Sequence, residues 1–206
     1  MKSYPIMLQL EGKKVVVIGG GKVAARKVSG LMGTGADITV ISPEVTDELR
    51  ELDCDRKISW KEKIFSKEDL DGAFMIFAAT NDKDLNHYIR GQAADHQLVI
   101  LADDPAGSDF HVPSHFRRGR LSIAVSTGGA SPILASQIRK RLEKEYDESY
   151  EDYVEFLFLA RQRILAEVHD ITLKRKLLTL IASPEFLNNK NRETEFTRLI
   201  EEVSTN

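Results

Sequence analysis

The run Val15-Val16-Val17-Ile18-Gly19-Gly20-Gly21-Lys22-Val23-Ala24 constrains this chain more than any other stretch. Four β-branched residues end in glycines, and Gly19, Gly21 and Ala24 fit the spacing G-x-G-x-x-G/A at a strand-to-helix turn. Each small residue has its own reason. Gly19 permits the tight turn, Gly21 lacks the Cβ that would block a pyrophosphate, and Ala24 lets the following helix lie close to the strand. Val28 and Leu31, four and seven residues after Ala24, extend an apolar helical face. A second β-rich run, Asp37–Ile41, completes a βαβ unit in which the helix N-terminus would face an anion. A glycine turn of the same spacing with no ligand is the competing reading, and the flanking strand, helix and strand argue against it.

The rest of the N-terminal half continues the pattern. Lys57–Trp60, Phe74–Ala79, Leu98–Ala102 and Leu121–Val125 read as further strands between amphipathic stretches. Several are near-continuous apolar runs, which suits a mainly parallel sheet covered by helices on both faces. After Ser131 the strand signal stops. Ser131 as N-cap and Pro132 at the first helical position start a helix running to about Lys144, with Leu134, Ile138 and Leu142 on one face. From Tyr150 the chain reads as all-helical. Phe156, Leu157, Ala160, Ile164 and Val168 form a stripe, and Ser183-Pro184-Glu185 restarts a helix after a break at Ile181–Ala182. The expected fold is α/β: a Rossmann-type parallel sheet over residues 1–112, a connecting segment over 113–148, and a small all-helical domain over 149–206.

With 206 residues, 42% hydrophobic and 30% charged, the chain can bury a core without staples. Lys and Arg number 29 against 32 Asp and Glu, for a net charge of −3, which disfavours a nucleic-acid footprint. Cys54 is the single cysteine, so an intrachain disulfide and a multi-cysteine metal site are excluded. The longest apolar run, Ala73 to Ala79, is far below the ~18 residues of a membrane span. Pro5 and Gln9 interrupt any secretory pattern. A cytoplasmic protein with no membrane partner is expected.

Candidate chemistry gathers where strands end. The acid expected ~20 residues past the glycines, at the tip of the second strand, is replaced by Ser42-Pro43-Glu44. Glu44 suits a ribose hydroxyl or the capping of the next segment equally well. No arginine stands there to receive a 2′-phosphate, which favours NAD over NADP. Ala78-Ala79-Thr80-Asn81-Asp82 ends one strand with space for a cofactor ring, while its polar residues also suit capping of a helix near Lys83. Asp103-Asp104-Pro105 ends another, where a carboxylate can take a proton; from spacing alone a solvated turn is the stronger reading. Ser126-Thr127-Gly128-Gly129-Ala130-Ser131-Pro132 offers hydroxyls and N–H groups to a carboxylate or phosphate, or is built for backbone geometry only. Arg117-Arg118-Gly119-Arg120 reads as a solvated turn that could steer an anion. His111 and His115 are separated by Pro113, so no metal site is expected. No G-x-S-x-G or Cys–His pattern supports a hydrolase.

These motifs, with Pro5-Ile6-Met7-Leu8-Gln9-Leu10, Gly35-Ala36-Asp37-Ile38-Thr39-Val40 and Phe110-His111-Val112-Pro113-Ser114, stand in an order that resembles the precorrin-2 dehydrogenases. That family also forms the N-terminal module of bifunctional sirohaem synthases. The resemblance spans roughly Tyr4 to Lys144 and implies a homodimer, with residues 113–148 as its dimerisation segment, that oxidises the tetrapyrrole precorrin-2 to sirohydrochlorin with NAD. It implies NAD contacts at Lys22, Val23, Pro43 and Glu44, beside Gly19, Gly21, Ala24 and Thr80. It implies a key aspartate at Asp103, with Asp104 as the neighbour to be told apart. Thr127 stands where some sirohaem synthases carry a phosphorylated serine, and Ile100 where the family has an asparagine. At this length the methyltransferase module of the bifunctional enzymes does not fit. For a polycarboxylate substrate, Arg117, Arg120, Thr127, Gly128 and Ser131 are candidate anion contacts. Some relatives also insert iron into sirohydrochlorin, which is the first alternative. A non-catalytic dinucleotide-sensing module is the second; such modules place an acid where this chain has Ser42.

Overall fold

Alternation along β1 (Lys14–Ile18) sets the architecture. Val15 and Val17 point into one apolar cluster with Ala24, Val28 and Leu31, while Val16 and Ile18 point into another with Ile76, Ile89 and Val99. Both faces of the strand are therefore buried, as a central parallel strand requires. The structure is a computed structural model and describes residues 3–204. It divides into two compact units, Tyr4–Val112 and the residues from Pro113 on.

The first unit is a five-stranded parallel sheet in the order β3-β2-β1-β4-β5. Its elements follow one another as β1, α1 (Lys22–Leu31), β2 (Asp37–Ile41), α2 (Asp47–Cys54), β3 (Ser59–Lys61), a 3₁₀ turn (Lys67–Leu70), β4 (Met75–Ala78), α3 (Lys83–Gln92) and β5 (Leu98–Leu101). In register, Ile18 lies between Ile41 and Ala78, and Ala78 lies beside Leu101. The glycine loop and the turns after β2, β4 and β5 thus leave the same edge. The strand order reverses between β1 and β4, the switch point where open α/β sheets hold ligands.

The second unit starts with an antiparallel hairpin, β6 (Ser114–Arg118) and β7 (Leu121–Val125), joined by Gly119 and Arg120. This corrects the sequence reading in one respect. Leu121–Val125 is a strand, but it pairs with Ser114–Arg118 instead of joining the parallel sheet. Gly119 takes φ +52°, the left-handed value that a two-residue hairpin loop needs. Helix α4 (Pro132–Glu145) follows, its first turn capped by Ser131 Oγ, which accepts from Leu134 N at 3.1 Å. Its expected apolar stripe is turned outward: Ala135 is the buried residue of this helix, and Leu134 and Ile138 are exposed.

Helices α5 (Ser149–Glu167), α6 (Ile171–Ile181), α7 (Pro184–Asn188) and α8 (Arg192–Ser204) complete the unit. Their core contains Phe156, Ala160, Ile164, Ile181, Phe186, Phe196 and Ile200. Within it the Tyr153 hydroxyl donates to the Ile181 carbonyl at 2.8 Å, satisfying the last turn of α6. No described helix is long and apolar enough to cross a membrane. Ile164 is fully buried at the centre of this core. Ile164→Ala should cost about 2–5 kcal/mol, read as a lowered urea midpoint with an unchanged slope; an unchanged midpoint would show that this core does not limit stability.

Candidate active site

The glycine loop is shaped by two close approaches. Gly19 has φ +116°, and a Cβ there would collide with the Ala79 carbonyl at the end of β4. A Cβ on Gly20 would collide with the Glu44 carbonyl in the loop after β2. The loop is further sewn down by Gly19 N donating to Ile41 O at 2.9 Å and Thr46 N donating to Gly20 O at 3.0 Å. Gly21 differs: it caps α1 with ordinary extended angles, φ −83° and ψ −173°, and a Cβ there would meet nothing within 4 Å. Among the described residues, the N–H groups of Gly21, Lys22 and Val23 have no acceptor. Three donors at a helix N-terminus beside an open Cβ position fit a pyrophosphate. Ala24 is fully buried against the sheet.

Beside this loop, Ser42, Pro43 and Glu44 end β2. Trp60 Nε1 donates to Ser42 O at 2.9 Å and holds the turn, leaving the Pro43 and Glu44 side chains exposed. Glu44 therefore has a backbone role against Gly20 and an exposed carboxylate that has no partner among the described residues. Lys27 on α1 is committed to packing instead: its Nζ lies 6.0 Å from the Phe77 ring centre, and burial, helped by the Arg26 charge, holds its pKa below the usual lysine value.

At the ends of β4 and β5 the two adjacent aspartates have separate roles. Asp104 Oδ1 accepts from the N–H groups of Ala106 and Gly107 at 2.9 and 3.1 Å, and Asp104 Oδ2 lies 3.9 Å from His87 Nε2. Asp104 shapes its own turn. Asp103 is exposed, and one of its oxygens, Oδ1, accepts from Asn86 Nδ2 at 2.7 Å. Among the described residues, Oδ2 has no donor. Asp82 caps α3 through Leu85 N at 3.0 Å, and Thr80 is bonded to Asn86 and Asp82. Gly19, Thr80 and Asp103 thus follow the ends of three neighbouring strands.

Two contributors escape the sequence reading. Gly20 fills the variable position of the glycine pattern, so its constraint shows only once the β2 loop is in place. Asn86 left a faint trace: it stands three residues before the buried Ile89, a polar residue on an apolar helical face.

In the second unit the arginine cluster is divided. Arg118, on the same side of β6 as buried Phe116, lies 4.0 Å from Glu143 of α4, which also pairs with Arg139. Arg120 donates from Nε to Glu155 at 2.6 Å and stacks on Phe158 with its guanidinium carbon 3.5 Å from the ring centre. Arg117 points to the other side of the strand, exposed, and among the described residues its guanidinium has no acceptor. The loop after β7 also uses much of its polarity internally. Thr127 Oγ1 donates to Ser131 O and accepts from Ser131 N, both at 3.0 Å, while Ser131 Oγ caps α4. Gly128 and Gly129 both take left-handed φ values, +61° and +86°. Gly128 N is bonded to Ser126 Oγ, and Gly129 N has no acceptor among the described residues.

Residues 6–114 match the family described as "Putative NAD(P)-binding", residues 118–145 the one described as "Sirohaem biosynthesis protein central", and residues 150–196 the "SirC C-terminal domain". The chain is 37% identical over 198 residues to the precorrin-2 dehydrogenase of Priestia megaterium, covering 96% of this chain and 98% of that one. It is 35% identical over 159 residues to the precorrin-2 dehydrogenase of Bacillus subtilis, covering 77% and 98%. The solved structure of SirC, a precorrin-2 dehydrogenase, superimposes with a TM-score of 0.86 at 36% identity, covering 97% of this chain and all of that one.

The adjacent glycines make opposite predictions. Gly20→Ala should lower thermal stability, because its Cβ meets backbone that cannot yield. Gly21→Ala should leave the melting temperature within about 2 °C of the parent's, yet weaken NAD about tenfold by protruding into the pyrophosphate space. Thermal melts and a nucleotide titration of both variants check this; equal behaviour in both assays would refute the division.

Proposed function

Because the chain belongs to the precorrin-2 dehydrogenase family, we propose that it oxidises precorrin-2 to sirohydrochlorin with NAD as hydride acceptor. One structural observation supports this reading most: an aspartate with one oxygen held and, among the described residues, the other unbonded, two strands along from a glycine loop fit for a pyrophosphate.

The chain's residues divide the work. The N–H groups of Gly21, Lys22 and Val23 bind the pyrophosphate, with Gly19 and Ala24 fixing the turn and the helix that present them. Pro43 and Glu44 border the ribose, whose hydroxyls donate to the Glu44 carboxylate. Thr80, at the switch point, borders the nicotinamide side. NAD, when bound, supplies a hydride acceptor at its ring. The oxidation removes a hydride and a proton from the macrocycle, and Asp103 Oδ2 accepts the proton as general base. Exposure suits this role, since the proton then passes to water.

The substrate is a polycarboxylate, and the Arg117 guanidinium of the hairpin has no acceptor among the described residues. We assign its guanidinium to a substrate carboxylate, with the loop from Thr127 through Gly128 to Ser131 presenting the Gly129 N–H to another. Arg120 contributes through its remaining N–H groups while its Nε holds Glu155. We further assign residues 113–148 to a homodimer interface, on the exposed Ile133, Leu134 and Ile138 of α4, and residues 149–206 to a helical domain. A single cysteine is in keeping with work in the cytoplasm.

Anaerobic incubation with precorrin-2 and NAD should generate the sirohydrochlorin spectrum; no conversion above an NAD-free control would refute the reading. Asp103→Asn should slow turnover by about 10²-fold or more with NAD affinity retained, and full activity would remove Asp103 from the mechanism. Arg117→Ala should raise the KM for precorrin-2 about tenfold with kcat little changed, the loss of one charge-assisted contact; an unchanged KM would place the anion contact elsewhere.

A further inference from the structure

Asn86 is fully buried in the first half of α3, on an element that packs against β4 and β5. A buried carboxamide is costly unless all of its bonding capacity is used, and here it is. Its Oδ1 accepts from Thr80 N at 3.2 Å and from the Thr80 hydroxyl at 2.8 Å. Its Nδ2 donates to Thr80 O at 3.3 Å and to Asp103 Oδ1 at 2.7 Å. The hydroxyl, with a single proton, shares it between Asn86 Oδ1 and Asp82 O, and accepts in turn from Asp82 N.

This pattern fixes which way the amide faces. The Thr80 backbone N–H can only donate, so the atom against it is the oxygen of Asn86. The nitrogen must then lie on the other side, against a carboxylate that only accepts. Thr80 therefore orients Asn86, and Asn86 presents a donor to Asp103. Asp104, one residue on, is bonded within its own turn and makes no such contact. An exposed aspartate side chain ordinarily samples several rotamers. Here a donor anchored in the protein interior holds one carboxylate oxygen, while among the described residues the other has no donor.

We propose that Asn86 is the positioning residue for this reaction: it couples the end of β4 to the end of β5 and fixes the Asp103 carboxylate for proton transfer. The inference rests on the reading of Asp103 as the base. It predicts that losing the Nδ2 donor harms the chemical step and leaves the binding of both ligands intact.

Asn86→Asp is the informative variant. It keeps an oxygen for the Thr80 donors and replaces the donor facing Asp103 with a second acceptor. Asn86→Ala removes both sides and serves as the comparison for loss of packing. Steady-state kinetics with precorrin-2 and NAD, NAD titration and thermal melts are measured for both, for Asp103→Asn, and for Asn86→Asp combined with Asp103→Asn. The expected result is a kcat for Asn86→Asp lower by about ten- to a hundredfold, with both KM values and the NAD Kd within about twofold of the parent's. The double variant should turn over no more slowly than Asp103→Asn alone, since the two residues act as one unit.

Parent-like kcat in both Asn86 variants, with Asp103→Asn slow, would overturn the positioning role and leave the reading of Asp103 standing. Losses that multiply in the double variant, or that follow a fall in melting temperature and a rise in KM, would also overturn it, because a merely structural asparagine behaves that way. Full activity in Asp103→Asn would instead overturn the reading of Asp103.

Discussion

The carboxyl edge of the parallel sheet depends on how near the end of β1 can come to the backbone on either side. At Gly19 the neighbour is the Ala79 carbonyl, at Gly20 the Glu44 carbonyl, and in both places a Cβ would collide. These approaches draw the turns after β2 and β4 against the glycine loop. Among the described residues, the first N–H groups of α1 are left without an acceptor, beside open space at the Gly21 Cβ position. A helix N-terminus alone attracts an anion weakly. Here Gly20 O and Gly21 O already accept from Thr46 N and Ala25 N, and among the described residues the N–H groups of Gly21, Lys22 and Val23 remain without an acceptor, open to a ligand.

A second consequence concerns the adjacent aspartates. In an extended or turning chain, neighbouring side chains point in different directions, so Asp103 and Asp104 cannot share one environment. Asp104 folds back onto the N–H groups of Ala106 and Gly107, and that turn in turn delivers Asp103 to the edge. Helix α3 then does for Asp103 what the glycines do for the nucleotide. Its buried Asn86 brings the polarity of the interior to the sheet edge, where water alone would leave the carboxylate free to rotate. The aspartate that closes the turn and the aspartate held by α3 are thus separate residues of one short loop.

The hairpin of the second unit shows the same sorting by geometry. Period-two alternation places Arg118 with Phe116 toward α4 and Arg117 on the opposite side. The two-residue loop sends Arg120 onto Phe158 and Glu155 of α5, where stacking and a hydrogen bond hold it. Three arginines that look alike in sequence therefore have three different surroundings. The loop after β7 is similar: its hydroxyls, which suggest an anion site, are bonded to nearby backbone, Thr127 Oγ1 to Ser131, Ser131 Oγ to Leu134 N and Ser126 Oγ to Gly128 N, and its glycines serve left-handed turns.

Local pattern alone was enough to locate most of the first unit. Four apolar runs, the glycine spacing, a cap within Thr80-Asn81-Asp82 and, in the second unit, the cap at Ser131 are short-range features, each set by residues within one or two turns of one another. Strand β6 was hidden, because Ser114–Arg118 has one buried apolar residue and a basic end, and its pairing with β7 is what makes it a strand. The outward stripe of α4 was equally invisible, since periodicity marks an apolar face without saying what covers it. Only the tertiary structure distinguished Asp103 from Asp104, exposed the need for Gly20 and brought Asn86 to a residue 17 positions away. The physical reason is common to all three: a collision or a hydrogen bond between segments distant in the chain depends on the sheet that brings them together, whereas a cap or an apolar face is written in neighbouring residues.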